Sequence, residues 1–106
     1  MDQEWETSIR IIEFHDNGMW VAQCLEYDIG AQAPDIDTLN ARLEAVLRAE
    51  CEESMRQHNR PFAGIGPAPE RFLLMWERRA RSIDVSPAAR MSGLEPKVNI
   101  SLALVA

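Results

Sequence analysis

The tripeptide Asp16-Asn17-Gly18 constrains this chain more than any other feature, because it stands between two runs that read as strands. Asn-Gly accepts positive φ in a two-residue turn, so it favours a tight hairpin. The run before it, Thr7 to His15 (TSIRIIEFH), is rich in β-branched and aromatic residues. The run after it, Met19 to Tyr27 (MWVAQCLEY), alternates Trp20, Ala22 and Cys24 with Val21, Gln23 and Leu25. Apolar side chains fall on both faces, which predicts a hairpin at least half buried on each side.

Beyond Glu26, Tyr27 and Asp28, the piece Ile29 to Ala33 reads as a third strand, ended by Pro34 because proline cannot donate to a ladder. The three strands are expected to be antiparallel. Leu39, Leu43, Val46, Leu47, Cys51 and Met55 then recur at helical spacing, predicting a helix from Thr38 to His58 with its apolar stripe on the sheet. Asp37 can cap its exposed amides.

The segment 59–69 holds three prolines and two glycines and is expected to be a surface loop anchored by Phe62 and Ile65. Pro69 suits the first turn of a second, shorter helix. Phe72, Leu73, Met75, Trp76 and Ala80 form its apolar face, and Arg78, Arg79 and Arg81 lie near its C-terminal end, where the helix dipole favours cations. Residues 84–96 have no period and read as loop. The final run KVNISLALVA alternates as a half-buried strand, paired in the parent sheet or across a dimer. The expected class is α+β, a three-stranded antiparallel sheet plus a C-terminal strand, in the order β-β-β-α-α-β. At 106 residues the chain is the size of one domain, taken here as residues 1–106.

Composition bounds the function. No apolar run approaches the roughly 20 residues that span a bilayer, and the first residues are acidic rather than signal-like, so a soluble cytoplasmic protein without membrane contact is expected. Cys24 and Cys51 have neither paired nor metal-ligand spacing and read as reduced, packed thiols. Residues 1–59 carry 13 Asp and Glu against 4 Arg, a balance of -9, whereas residues 60–106 carry 4 acidic and 7 basic residues, a balance of +3. The acidic front half repels nucleic acid and suits a basic partner.

Catalytic constellations are thin. His15 and Cys24 lie on neighbouring strands but too far apart along the hairpin to act as base and nucleophile. Glu26 with Asp28, or Asp35 with Asp37, could be drawn as Mg²⁺ pairs, yet turn and helix-start roles suffice for them. His58 suits a helix C-terminus. No glycine-rich nucleotide loop occurs. The expectation is a chain that is not an enzyme, with no catalytic residue, metal or cofactor.

A longer pattern remains. Phe14, Asp16, Gly18, Trp20, Val21, Ala22, Leu25, Glu26, Asp28, Ile29, Ala31, Asp37, Leu39, Leu43 and Leu47 follow the order strand, Asn-Gly turn, strand, acidic-aromatic link, strand and long helix. In this the chain resembles the HicB antitoxin family over roughly residues 7–50. It departs from many members in lacking a Pro-Asp-Leu-Pro-Gly type turn after the second strand. Phe62, Ile65, Gly66, Pro67, Ala68, Pro69 and Phe72 look like the link and helix of shorter HicB-like proteins.

The resemblance implies a degenerate RNase H-like sheet with a helix against it, without the catalytic acids. In true antitoxins that domain covers a small basic RNA-cleaving toxin, and an added segment binds operator DNA. No such DNA-binding segment is evident after Ser82. The expected function is a non-catalytic protein-binding module, a homo-oligomer, that takes a small basic toxin-like partner through Trp20, Glu26, Tyr27, Asp28 and Asp35. The alternative is a nucleic-acid-linked regulator using Arg71, Arg78, Arg79 and Arg81 as a basic stripe.

Overall fold

The computed structural model describes residues 6–78 and 97–105. Trp5, Arg79, Ala80, Arg81 and the loop expected over 84–96 lie outside them. Strands β1 (Glu6–Asp16) and β2 (Met19–Cys24) form the hairpin that Asn-Gly dictates, with Asp16 opposite Met19 and Asn17 and Gly18 at φ 51° and 79°. Positive φ at both central residues marks a type I′ turn. β3 (Gly30–Ala33) pairs antiparallel with β2 and stops before Pro34. Two helices follow, α1 (Ile36–His58) and α2 (Glu70–Arg78), and then β4 (Lys97–Leu104).

β4 enters the same sheet beside β1 and parallel to it, from Glu6 opposite Lys97 to Glu13 opposite Leu104, giving the order β3-β2-β1-β4. The sheet is therefore mixed, which corrects the expected antiparallel sheet with an unplaced terminal strand. A parallel neighbour needs a long crossover, and α1, the loop and α2 lie within it. β1 is the longest strand and, with β2 on one side, has its whole other edge available to β4.

The sheet has a helix on each face. Ile9, Ile11, Ala22, Cys24, Ala33, Ile100 and Leu102 point to one side, where they meet Leu39, Leu43, Leu47 and Cys51 of α1. Ile12, Leu25 and Ala103 point to the other, where they meet Phe72 and Trp76 of α2. The layers are helix, sheet, helix. Glu13 breaks the alternation, since it shares the inner face with Ile11 yet is only 2% exposed.

Asp35, rather than Asp37, caps α1. Its extended backbone lets a carboxylate oxygen accept the Thr38 amide at 2.7 Å, and the Thr38 hydroxyl donates to the other oxygen at 3.0 Å. These bonds hold the Asp35 carboxyl below its ordinary pKa. The helix begins two residues before the expected Thr38 because Ile36 is half-buried against the inner core. At the other end Asn59 takes the left-handed conformation, φ 57°, and returns its amide to the Met55 carbonyl.

The loop 59–69 carries the chain around one end of the sheet. Phe62 is fully buried, as the sequence suggested, with its ring 4.9 Å from that of Tyr27. Its amide donates to the Ser54 hydroxyl at 2.6 Å, and that hydroxyl donates to the Glu50 carbonyl at 2.8 Å. Farther on, the Asp28 amide donates to the Gly66 carbonyl and the Ala68 amide to the Leu25 carbonyl. The β2–β3 link thus serves as the rail along which the loop passes from the α1 face to the α2 face.

Candidate functional site

The five residues expected to form one partner surface fall into two groups at opposite ends of the sheet. Trp20, the second residue of β2, is opposite Ala33, two residues before Asp35, so these two lie at the hairpin end. Glu26, Tyr27 and Asp28 follow β2 and lie at the other end. The four residue steps from Trp20 to Cys24 alone span about 13 Å of extended chain.

The second group has structural employment. Both carboxylate oxygens of Glu26 hold Arg10, one accepting its amide at 2.6 Å and the other its Nε at 2.5 Å. Asp28 accepts from Gln23 Nε2 at 3.0 Å, and Gln23 is itself buried. Tyr27 lies against Phe62, and burial pushes its hydroxyl above the usual pKa. These contacts explain an acidic-aromatic link between β2 and β3 without a ligand.

In the first group Asp35 is exposed, whereas Trp20 packs partly against the inner core. Trp20 is half-buried and packs edge-on against the exposed His15 ring, centroids 5.1 Å apart at 75°. At the same end of the sheet the exposed carboxylates Asp16, Asp35 and Asp37 lie at the hairpin turn and the start of α1. On the outer face beside this end, Phe14, Val21, Gln32, Arg71, Phe72 and Met75 line a cleft of about 500 Å³ that His15 and Asp16 also border. α2 is too short to cover the whole face, and this cleft is one part it leaves.

A second cleft of about 320 Å³ lies on the other side of α2. Its floor is the Arg10–Glu26 ion pair and its walls are Leu25, Pro67, Ala68, Pro69 and Leu73. The Arg10 guanidinium also stands 5.7 Å from the centre of the Trp76 ring, a cation–π contact.

Of the proposed basic stripe, Arg79 and Arg81 lie outside the described residues. Arg71 and Arg78 are both exposed and seven positions apart on one side of α2. Glu70 and Glu77 stand next to them, also exposed, with Leu74 between, so this part of the helix surface carries no net positive charge. The Arg71 guanidinium lies 4.6 Å over the Phe72 ring.

His15 is opposite Trp20 and Cys24 opposite Ile11, so the two do not meet. Cys24 is fully buried, and that burial pushes its thiol up to about 11; Cys51 is raised for the same reason. At pH 8 the Cys24 thiol is then thiolate in about one molecule in a thousand, and both thiols are closed off from solvent. Neither cysteine is therefore expected to react with an aromatic disulfide reagent at pH 8 until the chain is unfolded, when both should react within minutes. Prompt release of one equivalent of chromophore from the folded protein would contradict this.

Among the described residues, no group of three His, Cys, Asp or Glu side chains is placed to hold a metal ion, and no helix is long and apolar enough to cross a membrane. Sequence reasoning missed the two clefts, because both depend on α2 lying opposite α1, which the apolar stripe of α2 does not encode. Comparison with protein-family models, with curated proteins and with solved structures returns no match to this chain.

Proposed function

We propose that this chain is a non-catalytic protein-binding module of the HicB-like kind, and that it takes a small basic partner at the hairpin end of its sheet. The observation that carries this reading is a partly buried Trp20 at the same end of the sheet as the exposed carboxylates of Asp16, Asp35 and Asp37. Aromatic side chains supply most of the energy of protein interfaces, and a rim of one charge steers a partner of the other. The acidic balance of residues 1–59 adds a long-range field of the same sign. Tyr27 and Asp28 support the site from a distance by holding the loop that leads to α2, and Glu26 by tying the β2–β3 link to Arg10 of β1.

The test is affinity capture from the native cell with the full chain as bait, followed by calorimetric titration of the captured protein. A small basic protein should be recovered, and it should bind less tightly as salt rises. Trp20→Ala should weaken binding by about tenfold or more, while Asp37→Asn should flatten the salt dependence. Recovery of the bait alone at both low and high salt would refute the reading, as would a captured partner whose affinity ignores Trp20.

A further inference from the structure

β4 is one of two outer strands, and it lacks the devices that usually keep a sheet edge from pairing. The opposite edge, β3, is four residues long and is stopped by Pro34. β4 runs for eight residues with no proline, and no charged residue occurs from Val98 to Val105. Natural edges of this length are normally interrupted by a charge, a proline or a bulge. Among the described residues, no strand lies beyond β4.

The phase of the edge is known. The Val105 amide donates to the Glu13 carbonyl at 2.9 Å, so the residues in step with it, Ala103, Ser101 and Asn99, turn their main-chain groups towards β1. Val98, Ile100, Leu102 and Leu104 turn theirs outward.

We infer that this edge pairs with the same edge of a second copy, antiparallel, about a two-fold axis through Ser101, joining two four-stranded sheets into one. Opposed residues in an antiparallel pair share a face, so the axis must pass through a residue. With Ser101 on the axis, Ile100 meets Leu102, Val98 meets Leu104 and Asn99 meets Ala103. The apolar row that each copy buries then continues into the other, and the outward N–H and C=O groups exchange bonds. A strand that matches itself on reversal is what a two-fold interface needs. Charge favours the same edge: copies with a net charge of -6 repel over most of their surface, and β4 brings them together without opposing carboxylates. This inference is independent of the basic partner.

In that pairing Ser101 faces Ser101 of the second copy as a non-hydrogen-bonded pair, with Cα atoms about 4.5 Å apart, within disulfide range. Ser101 is exposed, so changing it leaves the core intact. Sedimentation velocity on the full chain should give twice the mass of one chain for the wild type and for Ser101→Thr. Ser101→Cys, oxidised with diamide, should run as a covalent dimer, with the buried Cys24 and Cys51 silent. Ser101→Glu, with unchanged circular dichroism, should raise the dimer dissociation constant about fivefold or more, since like charges then meet at the axis. A wild-type monomer at every concentration would overturn the inference. So would a dimer that Ser101→Glu does not weaken and Ser101→Cys does not trap.

Discussion

Phe62→Ala is expected to lower the free energy of unfolding by about 3–5 kcal/mol, the range for emptying a large aromatic site in a packed core. Among the described residues Phe62 is the largest side chain with no exposure, although it belongs to a loop and not to a helix or strand. Its ring closes the inner core beneath Tyr27, so its removal leaves a cavity between the loop and the β2–β3 link. The backbone offers a second check. Phe62 sits at φ 59°, where a side chain costs about 1 kcal/mol that glycine avoids. Phe62→Gly should therefore be no less stable than Phe62→Ala, the reverse of what the two residues do in a helix. Equilibrium unfolding in urea measures both. A loss below about 1 kcal/mol for Phe62→Ala would mean that the loop does not close the core.

Trp76→Ala should cost a comparable amount, about 3 kcal/mol, and its effect should be local first. Trp76 and Phe72 are the buried anchors of α2 over Ile12, Leu25 and Ala103. A helix of nine residues has no independent stability in water, so docking holds it together. Without the indole, amide hydrogens of residues 70–78 should exchange at least about tenfold faster while those of α1 keep their protection. Equal acceleration in both helices would show that the two layers unfold as one unit and would defeat the idea of a separately docked outer layer.

The elements that could be read from the sequence were those whose signals are local. Asn17-Gly18 fixed the hairpin because few other dipeptides accept two positive φ values in succession. The stripe from Leu39 to Cys51 located α1 because its period is that of a helix. What escaped depended on contacts distant in sequence. The alternation of β4 shows which residues share a face, but not that β1 is its neighbour or that the two run parallel. The stripe on α2 shows that it is buried, and not on which side of the sheet. Asp35 and Asp37 are equally good capping residues by type, and Ile36 packing against the core decides between them. The candidate site residues divide between two ends of the sheet for the same reason. Trp20 and Asp28 are eight positions apart, but a strand and a turn intervene, and proximity in sequence became separation in space.

The adjacency of β1 and β4 bears on how the chain folds as it is made. Glu6 sits opposite Lys97, so closing that ladder joins positions about 90 residues apart, a costly loop, whereas the hairpin can form within microseconds. A nascent chain therefore exposes one bare flank of its central strand until residues 97–104 have left the ribosome. In a crowded polysome, the same segment of a neighbouring chain can fill that slot first. Swapped assemblies should accordingly increase with expression rate, and slower translation should favour the correctly closed molecule.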